Sequence, residues 1–174
     1  YLYRKTRQLE ALNHDLEQRV EERTAEVQAN ALRLRESEER FKVILQNTSA
    51  VIYLIDARGN GLQVNRGFEQ VFGVTDDEAR GQSIYALLPP APRAVWRARH
   101  QRVMSERVSI EFEEEIVSLG GVRTYTSIKT PLFDAAGKPS GIVSISTDIT
   151  ERKLAENERA ELLRREHDAR LTAA

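Results

Sequence analysis

Residues Ser127–Lys153 read SIKTPLFDAAGKPSGIVSISTDITERK and carry the pattern that decides the fold. Two runs that alternate β-branched and small polar residues flank a turn-rich segment, Asp134–Pro139, which predicts two strands paired as an antiparallel hairpin. The second run passes directly into a charged helical pattern, and Asp148, Ile149 and Thr150 lie where the period changes. The sequence therefore predicts a last strand that is joined to an outgoing helix without a loop.

Three more strands are predicted upstream of this hairpin. Val108–Ser118, VSIEFEEEIVS, alternates apolar and acidic residues and leads through the Gly120–Gly121 turn into the hairpin. Ser49–Asn65, SAVIYLIDARGNGLQVN, reads as two strands joined by a glycine-containing turn. Short helical pieces fill Arg66–Pro90 between the two groups. The expected fold class is α+β, with a five-stranded antiparallel sheet and a helical block on one face.

The helical block has recognisable helix ends. Gly73 suits the end of one helix, and Thr75 with Glu78 predicts a capping box at the start of the next. Pro92 suits the first turn of a longer helix, Arg93–Ser105, whose apolar stripe carries Trp96, His100 and Val103.

Composition separates the centre from the ends and excludes several function classes. Every glycine and proline lies between Gly59 and Gly141, so the turns are central and the two ends are predicted to be helical. The chain has no cysteine, which excludes disulfides, thiolate metal sites and cysteine photoadducts. The net charge of −1 gives no reason to expect nucleic acid as a partner.

The N-terminal helix carries a narrow apolar stripe with heptad character. A one-sided stripe of this kind predicts pairing with a second copy as a parallel coiled coil, the alternative being a single solvated helix. The predicted dimer seam consists of Leu9, Leu12, Leu16, Val20, Val27 and Leu34.

The first residues, YLYRKTRQ, place aromatic side chains before Arg4, Lys5 and Arg7. Such a pattern is typical of the point where a membrane helix leaves on the cytoplasmic side. We therefore expect a membrane segment upstream of Tyr1, the alternative being an ordinary charged helix start. No run within the chain itself approaches the ~20 apolar residues that a membrane helix needs.

Two motifs at domain-length spacing resemble the PAS family. Asn65, Phe68 and Phe72 stand at the places of an N-x-x-F-x-x-x-F-G opening, and Asp148–Arg152, DITER, matches the family's closing signature. The flanking helices look like the connectors of bacterial membrane sensor histidine kinases and the related diguanylate cyclases. The resemblance implies a signalling helix at 1–37, a PAS sensor domain at 38–150 and a linker helix at 151–174 towards an effector.

In that family the strand-to-helix junction couples the core to the effector. The resemblance thus implies a signal-coupling role for Asp148, Ile149, Thr150, Glu151 and Arg152. Thr150 is expected to cap a helix that begins at Glu151, and Asp148 to form an Asx-type turn or a capping box with Glu151. Ile149 would anchor the junction, and Arg152 would pair with a carboxylate on the core. The alternative is a plain helix cap without a signalling role.

Family members also enclose a pocket between the sheet and the helices. The alternative is that these residues simply fill the core at ordinary density. The facing of Ser127, Lys129, Ser144 and Ser146 is left open by the sequence, with solvent as one possibility. The candidate pocket residues are Leu54, Phe68, Phe72, Ile84, Leu88, Trp96, His100, Val103, Phe112, Ile128, Ile142 and Ser144.

His100 offers a rival function as a proximal haem ligand, because haem-binding oxygen sensors of the family place a histidine on the corresponding helix. The competing interpretation is a partly exposed histidine flanked by Arg97, Arg99 and Arg102. The other residues do not resemble the haem subgroup, so no tightly bound cofactor is expected.

Nothing in the sequence favours catalysis by this segment. It lacks a P-loop and a G-x-S-x-G nucleophile turn, and its histidines and acids lack metal-ligand spacing. Glu111, Glu113 and Glu115 alternate onto one sheet face, which indicates a solvated face rather than a cation site. His167 with Asp168 only faintly resembles a phosphoacceptor box and is interpreted as linker. The sequence thus predicts a regulatory module whose partners are a second copy, a C-terminal kinase and a small-molecule ligand.

Overall fold

The computed structural model describes the backbone of residues 2–90 and 92–172, and the side chains of residues 13–90 and 92–167. Five antiparallel strands form one sheet, as the sequence predicts, and their order is β2-β1-β5-β4-β3. The last three strands follow one another as a meander, and the first two form a hairpin beside it. The strands are β1 Val51–Asp56, β2 Gly61–Val64, β3 Ile110–Ser118, β4 Gly121–Phe133 and β5 Pro139–Asp148.

The chain divides into two units, Tyr1–Ile44 and Leu45–Ala174, and the sheet belongs to the second. None of the helices over the described residues is both long enough and apolar enough to cross a membrane. The helices are α1 Leu2–Asn47, α2 Arg66–Phe72, α3 Asp76–Ala79, α4 Ile84–Leu87, α5 Arg93–Glu106 and α6 Thr150–Thr172.

Asn65 holds the start of the helical block against the sheet. Its side-chain oxygen accepts hydrogen bonds from the N–H groups of Ile52 and Phe68, and its amide nitrogen donates to the carbonyls of Leu45 and Ala50. The residue is 1% exposed, so these four bonds satisfy an amide that water cannot reach. Asn65 is thus both the N-cap of α2 and a link between β1 and the chain that precedes it.

The predicted helix ends are confirmed. Gly73 ends α2 with φ 71°, a left-handed conformation that favours glycine. Thr75 and Glu78 form the capping box of α3. Pro92 directly precedes α5.

The strand register sorts the candidate pocket residues between the two sheet faces. Tyr53 pairs with Ser144 and Ser144 with Lys129, and all three side chains are fully buried on the face covered by the helices. Ser127 and Ser146 pair on the same face and are equally buried. The possibility that these serines and Lys129 face solvent is therefore wrong.

Two candidate pocket residues lie on the opposite face. Ile128 is 45% exposed and pairs with Ile145, which is 43% exposed. Leu54 alternates with the buried Tyr53 and Ile55 and lies on that outer face too. The expectation that Leu54 and Ile128 point into the interior is wrong, because the strands carry apolar residues on both faces and the hydrophobic pattern does not distinguish them.

Candidate ligand cleft and signal-exit junction

The remaining candidate pocket residues are brought together between the sheet and the helices, where they form the core. Tyr53 stacks on Trp96 at 5.6 Å between ring centroids, and Phe68 packs on Phe72 at 4.6 Å. This part of the interior is filled by protein side chains. The core residues among the candidates are Phe68, Ile84, Leu88, Trp96, Val103 and Ile142, with Phe72 and Phe112 packed partly buried against them.

A buried cation lies inside this apolar core. The Nζ of Lys129 is 3.2 Å from Glu114 Oε1, 3.2 Å from Ser144 Oγ and 3.1 Å from the Tyr53 hydroxyl. Glu114 is 5% exposed and also pairs with Arg99 from α5. Because a buried charge is tolerated only when it is paired and hydrogen-bonded, these contacts make Lys129 and Glu114 a single unit that joins β3, β4 and α5.

His100 extends the network towards the helices. Its Nε2 lies 2.9 Å from the Tyr53 hydroxyl and its Nδ1 lies 2.8 Å from the Tyr85 hydroxyl. The imidazole is 3% exposed, so the expectation of a partly exposed histidine is wrong. Burial, together with the charge of Lys129, lowers the pKa of His100 to about 3, so the ring is neutral at physiological pH. Burial likewise raises the pKa of Tyr85 to about 12.

The surroundings of His100 do not fit a haem iron. Both ring nitrogens are hydrogen-bonded to tyrosines, and the Tyr53 and Trp96 rings pack on the imidazole at centroid distances of 5.9 and 6.3 Å. An axial ligand needs one free nitrogen and an open face beside it. The residues around His100 therefore build a polar core rather than a haem pocket.

A cleft of about 670 Å³ opens at the outer end of the network, where Tyr85 and His100 form part of its wall. Ile55 and Ile142 contribute apolar surface to it. Its charged residues are Asp56, Arg58, Arg97 and Lys138. At this cleft the buried network meets solvent through Tyr85 and His100.

At the other end of the sheet, the exit helix is bonded to strand β4. The Ile149 N–H donates to the Thr124 carbonyl at 2.8 Å, and the Thr124 N–H donates to Thr150 Oγ1 at 2.9 Å. Ile149 is 7% exposed, so it is buried at the junction as expected. Helix α6 begins at Thr150 rather than Glu151, and the Thr150 hydroxyl bonds the neighbouring strand instead of capping its own helix. The expected cap is wrong in this respect.

Asp148 forms the predicted Asx-type turn. Its Oδ1 accepts from the Thr150 N–H at 2.9 Å and from the Thr150 hydroxyl at 2.6 Å, while its Oδ2 accepts from Arg123 at 2.8 Å. Partial burial would raise the pKa of Asp148, but these hydrogen bonds outweigh burial and lower the pKa. The carboxylate therefore stays ionised and keeps both the turn and the link to β4.

The ion pair between the exit helix and the core involves a different residue from the expected one. Arg152 pairs within its own helix with Glu156 at 3.7 Å, whereas Lys153 reaches Glu113 on β3 at 2.8 Å. The expected contact of Arg152 with the core is wrong. Lys153 lies one helical turn after the buried Ile149 and therefore faces the sheet, whereas Arg152 lies about 100° away around the helix axis. Glu151 is exposed at the start of the helix.

Four seam residues are exposed in the single chain: Leu16, Val20, Val27 and Leu34. Leu9 and Leu12 lie outside the residues whose side chains are described.

Glu111, Glu113 and Glu115 face solvent as expected, and no metal-binding group of acids and histidines occurs among the described residues. His167 is exposed on α6.

Sequence reasoning missed four residues of these sites, Tyr53, Tyr85, Glu114 and Lys153, and left the facing of Lys129 open. The signal for Glu114 was present, since it breaks the alternation of the other glutamates and shares the face of Phe112 and Ile116. Lys129 shares a face with Ser127 in the same way. Only the pairing of four strands, β1, β5, β4 and β3, brings Tyr53, Lys129 and Glu114 together.

Comparison with known proteins agrees with this geometry. A family model described as the PAS fold matches residues 45–154. The virulence sensor protein BvgS of Bordetella pertussis is 34% identical over 140 residues, which are 78% of this chain and 11% of that protein. The sensor histidine kinase TmoS of Ectopseudomonas mendocina is 27% identical over 132 residues, 75% of this chain and 14% of TmoS.

The solved structure of the PAS domain from Bordetella pertussis BvgS superposes with a TM-score of 0.56 at 29% identity. The match covers 79% of this chain and 98% of that domain. The chain therefore matches a nearly complete domain, yet it spans only a small part of the length of the curated relatives.

Proposed function

This chain belongs to the PAS domain family, and from that premise we propose that it is the regulatory input module of a membrane-anchored sensor histidine kinase. The module does no chemistry itself. It passes a conformational bias from its N-terminal helix or its cleft to a C-terminal kinase, and it lies on the cytoplasmic side of an inner membrane. Its parts are a signalling helix at 1–37, the sensor domain at 38–150 and the linker helix at 151–174.

The observation that carries this proposal is the pair of bonds between Thr124 and the junction. Ile149 donates to the carbonyl of Thr124 and Thr150 accepts from its N–H, so the antiparallel ladder of β4 continues into the first residue of α6. A helix held by two bonds at its first turn cannot rotate independently of the strand. A shift of β4 would therefore move the start of α6.

A second link runs from the buried network to the same helix through β3. Glu114 points inward to Lys129, and its neighbour Glu113 points outward to Lys153 of α6. Adjacent strand residues face opposite sides of the sheet, so the two side chains contact different partners. They share one backbone, so a displacement of β3 at Glu114 also moves Glu113. This link joins the core that a ligand would touch to the helix that would drive the kinase.

The exposed stripe of α1 supports a parallel homodimer as the active form. Leu16, Val20, Val27 and Leu34 are 49–66% exposed, and an apolar stripe on an otherwise charged helix is stabilised by a partner. In a dimer, two exit helices would enter the kinase side by side. Signalling would then be a two-state shift in their rotation or spacing, which a ligand biases by its differential affinity for the two states.

The test is the autophosphorylation rate of the full-length protein with Thr150→Val, Lys153→Gln or Arg152→Gln. The first two substitutions remove a link between α6 and the sheet, while Arg152→Gln removes only an ion pair within α6 and serves as the matched control. We expect the first two to change the basal rate or its response to stimulus several-fold, and the control to leave both unchanged.

Unaltered output in both Thr150→Val and Lys153→Gln proteins that remain folded would favour a different role. The module would then be a dimerisation spacer with a filled core and no input.

A further inference from the structure

The cleft beside Tyr85 combines an apolar base with cationic walls. Ile55 and Ile142 are 1% exposed and line its inner part, while Arg58, Arg97 and Lys138 are exposed around it. At about 670 Å³ the space is large enough for a small organic molecule. Its shape and lining suit a ligand with an apolar body and a charged end.

The three cations lack ion-pair partners over the part of the chain whose side chains are described. Arg97 lies over the Tyr85 ring, with its Cζ 4.9 Å from the ring centroid. Asp56, the one carboxylate in the cleft wall, accepts hydrogen bonds from the Arg58 N–H and from the backbone and side chain of Asn60. Asp56 is the one negative charge against these three cations, so the cleft has an excess of positive charge.

The buried network determines what Tyr85 presents to this cleft. Lys129 is ion-paired with Glu114 and an ammonium group can only donate, so the Tyr53 oxygen accepts from Lys129. The Tyr53 hydroxyl must then give its own hydrogen to Nε2 of His100, its other polar contact among the described residues. A neutral imidazole that accepts at Nε2 carries its hydrogen on Nδ1, which donates to the Tyr85 oxygen.

This order leaves the hydrogen of the Tyr85 hydroxyl without an acceptor in the network. Tyr85 is 8% exposed, and an almost buried donor without an acceptor is costly. The hydroxyl belongs to the wall of the cleft, where Arg58, Arg97 and Lys138 are themselves donors and the Asp56 carboxylate is hydrogen-bonded within its own turn. An oxygen acceptor on a molecule in the cleft would pair with this hydrogen.

We propose that this cleft binds a small organic oxyanion, a carboxylate or phosphate monoester on an apolar body, with the Tyr85 hydroxyl as its central hydrogen-bond donor. Arg97 and Lys138 neutralise the anion, and Ile55 and Ile142 cover its apolar body. The inference rests on the proposed function in that it names the ligand class of the sensor. Occupation would complete a continuous hydrogen-bond chain from the ligand to Lys129 on β4, and such chains strengthen cooperatively.

The first test needs no ligand and examines the order of the hydrogen bonds. In protein labelled with ¹⁵N-histidine, the ring nitrogens of His100, assigned with His100→Gln, should show a pyrrole-type shift for Nδ1 and a pyridine-type shift for Nε2 at pH 7. The reverse tautomer would make the Tyr85 hydroxyl a donor to His100 and would overturn the proposal.

The second test measures binding to the 174-residue chain by calorimetry and by NMR titration. Benzoate and phenyl phosphate are the anionic probes, and benzamide is the neutral probe of matched shape. We expect at least one anion to bind at the cleft at least about tenfold more tightly than benzamide, because charge-assisted hydrogen bonds exceed neutral ones by about that factor. The binding of that anion should weaken with added salt. Which anion binds distinguishes a carboxylate ligand from a phosphate ligand.

Variants then identify the donors. Tyr85→Phe keeps the ring and should lower the affinity for the anion about tenfold. Lys138→Gln, on the exposed rim, should lower that affinity several-fold without affecting folding. Arg102→Gln, an exposed residue of the same helix as Arg97 that lies outside the cleft, should have no effect. Three outcomes would overturn the site. The anion and benzamide could bind equally well, or neither anion could bind at 10 mM ligand (on the order of the weakest affinities of interest). The third outcome is an unchanged affinity in both Tyr85→Phe and Lys138→Gln.

This test is independent of the proposed function. Binding is measured on the isolated module, whereas the relay is measured as kinase output of the Thr150→Val protein. A cleft that rejects both anions would refute the ligand class and leave the relay standing. If an anion binds while Thr150→Val and Lys153→Gln leave kinase output unchanged, the ligand class stands and the relay is refuted.

Discussion

Thr124 and Thr150 join the sheet to the exit helix: the Thr124 N–H donates to Thr150 Oγ1 at 2.9 Å, and the Thr124 carbonyl accepts from the Ile149 N–H at 2.8 Å. The side chain of Thr150 therefore replaces the backbone carbonyl that another strand residue would have offered. A helix start joined in this way is an extension of the β4–β5 ladder. The link explains why a short polar residue stands at this position.

Replacing Thr150 by valine keeps its shape and removes the acceptor. The Thr124 N–H, which is partly buried, would lose its partner, so we expect the free energy of unfolding to fall by about 1–3 kcal/mol. Thr147→Val, on the exposed side of β5, is the matched control and should change stability by less than about 0.5 kcal/mol. Urea denaturation of both variants measures the difference, and equal stabilities would show that the bond contributes nothing.

The buried neutral His100 makes stability depend on pH. The unfolded histidine has a pKa near 6.5, whereas the native pKa is about 3. Between these values the unfolded state binds a proton that the native state does not, so the free energy of unfolding should fall by about 1.4 kcal/mol for each pH unit below 6.5. Between pH 7 and pH 5 the loss should be about 2 kcal/mol, in a range where most carboxylates remain ionised.

The control for this prediction is a comparison of two histidine variants. His100→Gln should be less stable at pH 7 but should lose most of the pH dependence between pH 7 and pH 5. His167→Gln, which changes an exposed side chain, should retain the wild-type slope. The same slope in the His100→Gln protein would mean that another group causes the acid sensitivity.

Removing the buried cation should destabilise the core. Lys129→Met leaves the Glu114 carboxylate with Arg99 as its one ion-pair partner, and breaking a buried ion pair costs about 3–5 kcal/mol. Lys138→Met changes an exposed lysine and should cost less than about 0.5 kcal/mol. Combining Lys129→Met with Glu114→Gln should recover part of the loss, which a double-mutant cycle would measure. If the effects of the two substitutions on stability are fully additive, Lys129 and Glu114 do not stabilise each other.

The dimer seam is tested by a charge placed in it. Val27→Glu should dissociate a dimer that forms through the apolar stripe of α1, because a buried unpaired carboxylate opposes association. Ala29→Glu places the same charge on roughly the opposite side of the helix and should leave the dimer intact. Light scattering over a range of concentrations reports the mass, and a monomeric wild-type chain would refute the seam.

The fold was accessible from sequence because local signals agreed with one another. Alternating strands, the glycines of the turns and the Thr75–Glu78 capping box each indicated the elements that the structure has. The facing of the strands was not accessible, because β4 and β5 carry apolar and small polar residues on both faces. Ile128 was thus expected inside and the facing of Lys129 stayed open, whereas in the structure Ile128 faces outward and Lys129 is buried.

The junction illustrates a second limit of the sequence. Its residue types indicated a turn at Asp148 and an anchor at Ile149, and both are present. The partner of the Thr150 hydroxyl lies 26 residues away in the chain, and no pattern in the sequence selects a strand amide over a helix amide. In the same way, the choice of Lys153 over Arg152 depends on the direction in which α6 leaves the sheet.

Native-state hydrogen exchange tests most directly whether the β4–β5 ladder and helix α6 move as one rigid unit. The amides to follow are those of Ile149, bonded to Thr124, and Lys153, bonded to Ile149. We expect both amides to exchange as slowly as the central ladder amides of β4 and β5, and Thr150→Val to accelerate the exchange of both. Exchange of these two amides at the rate of exposed loops in the wild-type protein would contradict it.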